Sequence, residues 1–264
     1  MSAAEEEAQV GLALERLFQA VPERARLCNG AVPVITTHHL YAVVENRTLC
    51  DQEIDRRKTR NSIRLVRLPG QQRSDTLLAR TDDCKIAIKV ALENSNKQDC
   101  QPLQVLLRLL DSGSQPEMLI SELETYDDQL IRSLCRTGWL IPSRSTTRAG
   151  LDEAPSRDED KLLWSFPRCG IFFGALLKAR SEVLRVLKKQ TFCRAEYILA
   201  ERATTKTLKK EGMSLQYVLC NMEGMGLVRS YTLPGPGGGI GTLELSPAGV
   251  EASRSLPPPK RKRT

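Results

Sequence analysis

Apolar residues recur at Phe172, Leu176, Ala179, Val183, Val186 and Leu187, the three-and-four spacing that lines up one face of a helix. Pro167 upstream suits a first turn, where its missing N–H costs nothing. A second apolar set, Phe173, Leu177 and Leu184, widens the arc beyond the roughly 100° that a surface helix needs. The pattern predicts a helix over 168–189 that is covered from two sides. What remains of its circumference is a narrow basic strip of Lys178, Arg185, Lys188 and Lys189, with Arg180 at its edge.

The same reading organises the rest of the chain. Val10, Leu14, Leu17 and Phe18 mark an amphipathic helix over 8–21. Residues 22–33 read as a loop, Thr36 or Thr37 caps a short helix to Val44, and Thr48 or Asp51 caps another to about Asn61. Strands at 63–68 and 76–80 flank a Pro-Gly turn, and a helix follows to Leu92. Further helices are predicted over 102–110, 117–123 and 127–137. The strands at 139–143 and 162–166 then enclose a long mixed-charge loop, 144–161, that reads as mobile. Beyond the central helix come helices at 194–201 and 214–225, strands at 227–232 and 240–245 around a Gly-rich turn, and a disordered Pro-Pro-Pro-Lys-Arg-Lys-Arg tail.

One joint repeats. Gln52 and Ile54 lead through Asn61 to an apolar strand, Gln129 and Ile131 through Gly138, and Gln216 and Val218 through Gly226. Each time a helix ends in a residue that tolerates positive φ and a strand begins at once. That is the helix-to-wing connection of a winged helix. The expected fold is therefore α+β, mainly helical, with three tandem winged-helix units sharing a central helix. The units are 8–94, 100–168 (with the insertion 144–161) and 169–250, followed by a basic tail, 251–264.

Charge sharpens the picture. The chain of 264 residues carries a formal net charge of +7. Between Ile171 and Lys210, ten Lys and Arg face only Glu182, Glu196 and Glu201, so this segment holds the whole surplus. Such a single-sign cluster suits a polyanion. Lys178, Arg180, Arg185, Lys188 and Lys189 form one candidate contact set. Lys206, Lys209 and Lys210 form a second, just ahead of the expected recognition helix 214–225. That helix offers Gln216 and Asn221 but no Arg or Lys, so bidentate guanine readout is not expected. Aromatics are 5% of the chain, which favours duplex backbone contact over a single-strand stacking platform. The expected partner is double-stranded DNA, bound weakly by sequence and strongly by charge. A membrane-surface role would need the apolar face of the central helix exposed. A protein–protein adaptor of a nuclear complex, with the strip meeting an acidic partner, is the alternative.

Eight cysteines lie far apart with no C-x-x-C pair, and no run approaches a membrane span, so a reduced, intracellular chain without a metal or other cofactor is expected. Lys260, Arg261, Lys262 and Arg263 read as a nuclear-import signal.

Residues Phe172–Lys189, followed by Glu196-Tyr-Ile-Leu199, resemble the serine/threonine-protein kinase 19 family. So do Val43-Val44 with Arg47-Thr48, Ile63–Val66 and Gly224–Val228. The resemblance is collinear from about Ala8 to Leu245. It implies tandem winged helices in the nucleus that bind double-stranded DNA, act in transcription-coupled nucleotide excision repair and touch repair and transcription proteins. Lys178, Arg180, Lys188 and Lys189 match basic positions of the family's last winged helix, and Arg185 does not. The 144–161 loop departs from the family as an insertion. A second departure is that the basic stretch relatives carry near the N-terminus is replaced here by the C-terminal Lys260-Arg-Lys-Arg263.

The kinase in that family's name has no support in the residues. Ile86-Ala-Ile-Lys89 imitates the strand that holds a phosphate-pairing lysine, but it falls in a predicted helix with no glycine loop before it. Neither His-Arg-Asp nor Asp-Phe-Gly occurs, so nothing holds Mg²⁺ or accepts a hydroxyl proton. His38 and His39, the only histidines, point about 100° apart on a helix and cannot jointly serve one centre, which leaves a surface or core-edge role. Asp127-Asp128 reads as a helix start. Trp139 and Trp164 read as a cross-strand pair. The glycine run at 235–241 fits a wing tip or a loose hairpin.

Overall fold

Three times in this chain a helix ends in a left-handed residue and a β-hairpin follows: Asn61 (φ 55°), Gly138 (φ 84°) and Gly226 (φ 71°). The computed structural model describes residues 3–66, 76–94, 97–112, 117–119, 128–142, 161–235 and 238–256. In chain order the first segment has α1 (Ala3–Ala20), β1 (Val34–Thr36), α2 (Thr37–Val43), α3 (Arg47–Thr59), β2 (Ile63–Val66) and β3 (Leu77–Arg80). The middle segment has α4 (Thr81–Glu93), α5 (Lys97–Ser112), β4 (Glu117–Leu119), α6 (Asp128–Thr137), β5 (Leu140–Pro142) and β6 (Lys161–Trp164). The last has α7 (Cys169–Lys188), β7 (Arg194–Glu196), α8 (Tyr197–Glu211), α9 (Leu215–Gly224), β8 (Val228–Gly235), β9 (Gly238–Leu245) and α10 (Pro247–Arg254). The fold is α+β and mainly helical.

Each hairpin is completed to a three-stranded antiparallel sheet by a short strand from earlier in its own segment. The orders are β1-β3-β2, β4-β6-β5 and β7-β9-β8, one topology used three times. These short strands correct the sequence reading. Residues 117–119 form a strand on β6, not the start of a helix, and Arg194–Glu196 form a strand on β9 before α8 begins at Tyr197. Three residues give too little periodicity to separate a strand from a helical turn, and Arg-Ala-Glu has no β preference of its own. Backbone pairing with a waiting hairpin edge decides the matter. Helix α8 also runs ten residues further than expected, to a stop at Gly212 in the left-handed region.

A continuous core links all three sheets. Helix α7 packs against α8, α9, α10 and β9 and buries Phe172, Leu176, Ala179, Val183 and Leu187. The face that a basic membrane-surface helix would need is therefore covered. Leu177, expected inside with the second apolar set, is exposed. No helix among the described residues is long and apolar enough to cross a membrane.

Among the contacts that tie the first segment to the others, two bear on the site. Strand β2 is buried along its whole length and touches β6. From it Arg64 donates through Nη2 to the Leu110 carbonyl at the end of α5 and lies 5.3 Å over the ring of Trp164. Burial lowers the Arg64 guanidinium to a pKa of about 10. Trp164 thus faces Arg64, while Trp139 meets the ring of Phe166 edge-on at 6.1 Å. The expected Trp–Trp pair does not form, because the register sets Trp164 opposite Leu140, and successive side chains of a strand leave on opposite faces. The second contact is α2 against α9. It is close enough that a Cβ on Gly224 would lie 1.7 Å from the His38 carbonyl oxygen.

Candidate nucleic-acid interface

Helix α8 follows a simple arithmetic. Ala200, Thr204 and Leu208 are buried at four-residue spacing, and the opposite side carries Arg202, Lys206, Lys209 and Lys210, all exposed. Steps of four, three and one residue keep these four cations within one stripe. None of them forms an ion pair with a described residue. Arg202 was not among the expected contact residues, although its spacing from Lys206 and Lys210 was visible in the sequence. What hid it was the helix end predicted at 201.

Helix α7 is less uniform than its sequence suggests. Lys178 is 68% exposed, with Nζ 3.6 Å from a carboxylate oxygen of Glu211, which brings the end of α8 beside the middle of α7. Arg185 donates through Nη1 to Glu182 at 2.6 Å, one turn away on the same helix. Lys188 donates to the Ser253 carbonyl at 2.9 Å, so its ammonium holds the end of α10. Lys189 is exposed and forms no ion pair among the described residues. Arg194, on β7, donates to Glu244 at 2.9 Å and thereby holds that carboxyl below its ordinary pKa.

Arg180 corrects the expected contact set. It is 6% exposed and its Nε donates to Asn221 Oδ1 at 2.7 Å. The side chain cannot reach a phosphate, since the three-and-four spacing placed it at the edge of a strip that α9 covers. A buried polar chain starts there. Asn221 Nδ2 donates to Thr36 Oγ1 at 2.6 Å, and both the N–H (3.0 Å) and the hydroxyl (2.9 Å) of Thr36 meet His39 Nδ1. His39 Nε2 is 3.0 Å from the Tyr217 carbonyl, which can only accept, so this nitrogen carries the proton. Tyr217 closes the circuit by donating its hydroxyl to the Val34 carbonyl at 2.8 Å.

This chain locks α2 onto α9 and has two consequences. His39 is buried as a neutral ring, and its pKa falls to about 3. Desolvation is the main cause, and Arg180 and His38 add to it against the opposing pull of the Tyr217 carbonyl. The helix expected to read a DNA groove has its polar face already occupied. Tyr217, Asn221 and Gly224 are buried in the joint, and only Gln216 of the two expected readers is exposed. Lys260, Arg261, Lys262 and Arg263 lie outside the described residues, as does the 144–160 part of the insertion.

The fold and the stripe together define a helical α+β protein that presents cations on one helix. Lys89, the end of the kinase-like Ile-Ala-Ile-Lys, stands exposed on α4, not on a strand. Among the described residues no group of three or more His, Cys, Asp or Glu is placed to hold a metal ion. The model of the family described as inactive serine-threonine protein kinase 19 matches residues 5–237, and the chain belongs to that family. No curated protein matches the chain. The family's description as inactive agrees with the absence of kinase motifs in the sequence.

Proposed function

We propose that this protein is a double-stranded DNA-binding protein built from three winged helices, and that it grips the phosphate backbone with little regard for sequence. The winged-helix reading is supported by the recurring sheet order and by the helix–strand–helix–helix–hairpin succession of the first and last segments. The DNA reading is carried by the α8 stripe of Arg202, Lys206, Lys209 and Lys210, joined by Lys189 and Lys178. Four cations within nine residues of helix cover about 12 Å of rise, and duplex DNA offers a phosphate charge about every 1.7 Å of its axis. Weak sequence preference follows from the occupation of α9 by α2, which removes the usual groove-reading face.

The test is affinity against salt for wild type and for Lys206→Ala/Lys209→Ala/Lys210→Ala on two unrelated duplexes. The log–log slope should fall by about 0.9 for each phosphate that is no longer neutralised, equally on both duplexes. An unchanged slope and affinity would make the stripe a solvated face and return the reading to a protein–protein adaptor. A preference of wild type for one duplex by several kcal/mol would overturn the non-specific part.

Work in the nucleus, as an accessory factor of transcription-coupled nucleotide excision repair beside repair and transcription proteins, is the setting that the resemblance in the sequence supports. Import would rest on Lys260, Arg261, Lys262 and Arg263. A fusion too large for passive passage should lose nuclear accumulation when residues 260–263 are deleted, and undiminished accumulation would refute the signal.

A further inference from the structure

Helix α7 does not run smoothly into β7. Between them Thr191–Cys193 make a single 3-10 turn in which Phe192 (φ 55°, ψ 22°) and Cys193 (φ 55°) both occupy the left-handed region. For an aromatic residue that conformation is an outlier, and strained backbone persists only where its surroundings fix it. Here Gln190 donates to the Leu187 carbonyl, Cys193 to the Gln190 carbonyl and Arg194 to the Thr191 carbonyl, and β7 is then pinned along β9. The turn draws Cys193 against the core and drives Phe192 outward. Phe192 is 84% exposed, more than any other large apolar side chain among the described residues. The fold gains little burial from this ring, yet fixes the backbone that carries it.

Its neighbours indicate what meets it. Lys189 precedes the turn, exposed and in no ion pair among the described residues; Lys188 beside it rests on the Ser253 carbonyl, and Arg194 follows, paired with Glu244. A ring displayed among cations fits a polyanion that also offers flat apolar faces, which is the chemistry of a nucleic acid with a base free of its partner. In an intact duplex the bases are already stacked, so a rigid ring gains most where pairing stops. We propose that Phe192 stacks on one unpaired base at the edge of a DNA duplex, while Lys189 and the α8 stripe hold the adjoining backbone. This rests on the duplex-binding reading above and adds a preference for the junction between paired and unpaired DNA.

The experiment uses the full chain and three probes of one sequence: an intact duplex, the same duplex with a forked end, and the fork with abasic sites at the unpaired positions. Wild type should bind the fork about tenfold more tightly than the duplex and lose that gain on the abasic fork. Phe192→Ala should bind all three like the duplex, with an unchanged salt slope, and Phe192→Trp should keep the preference. A 2-aminopurine at the first unpaired position should be quenched by wild type and not by Phe192→Ala. The ring is exposed, so the variants should keep the wild-type thermal midpoint, which is measured alongside. Equal binding of fork and duplex by wild type overturns this inference and leaves duplex binding standing. Retention of the preference by Phe192→Ala overturns it too. Failure to bind any of the three probes overturns both readings.

Discussion

Helices α8 and α9 are neighbours in sequence, sit in the same segment and use their polar residues in opposite ways. On α8 the buried side is Ala200, Thr204 and Leu208, and the cations face water. On α9 Tyr217 and Asn221 are buried, and they meet Val34, Thr36, His39 and Arg180 across a joint with three other elements, β1, α2 and α7. A buried polar network must be fully partnered, because each orphaned group costs its whole desolvation. An exposed cation is under no such constraint and remains available for a partner. The two helices show that a polar residue's role is set by what the rest of the chain lays over it.

The sharpest way to break the joint is at Gly224. A Cβ there would lie 1.7 Å from the His38 carbonyl oxygen, a backbone atom that cannot swing aside. Ala is favoured over Gly inside a helix by roughly 1 kcal/mol, so propensity alone predicts that Gly224→Ala stabilises the protein. Packing predicts the reverse, and by more: a loss of about 3 kcal/mol, the upper part of the range for overpacked sites. Urea unfolding decides the sign. A variant at least as stable as wild type would mean that α2 does not rest on α9 at this point.

Much of the fold was legible in the order of residues alone. The three helix ends at Asn61, Gly138 and Gly226 were marked by the only residue types that take positive φ cheaply, and the hairpins after them by alternation and turn residues. The burial of Phe172, Leu176 and Val183 followed from their spacing. The first strand of each sheet was not legible, because three residues carry no period and the pairing partner lies far along the chain. Arg180 was misplaced for a related reason. Helical spacing shows which residues share a face but not where the arc covered by a distant helix ends, and here α9 reaches one residue further round than apolarity suggests. Phe192 left no periodic mark, since its exposure comes from two φ angles.

The gentlest probe of the comparison is pH, because it touches the joint and leaves the α8 stripe alone. His39 titrates near 6.5 when unfolded and near 3 when folded, so the unfolded chain binds more protons between those values. Its contribution is fully present above about pH 6.5 and is lost as pH falls toward 3, at about 1.4 kcal/mol per unit. From pH 7 to pH 5 the loss from this one ring is about 2 kcal/mol, before most carboxylates begin to titrate. The chemistry agrees with the sign: a proton on Nδ1 would turn the acceptor for Thr36 into a donor, in a site that already faces the Arg180 guanidinium, the neighbouring His38, the Tyr217 hydroxyl and the Cys220 thiol. His39→Gln should be less stable than wild type at pH 7 and flatter between pH 7 and 5 by about that same 2 kcal/mol. The Lys206→Ala/Lys209→Ala/Lys210→Ala variant should follow the wild-type curve across the same interval, since none of the three side chains takes part in the hydrogen bonds of the joint. Parallel curves for wild type and His39→Gln would place the acid-sensitive group elsewhere. A flattened curve for the lysine variant would mean that the stripe and the joint are coupled, and the contrast between α8 and α9 would lose its basis.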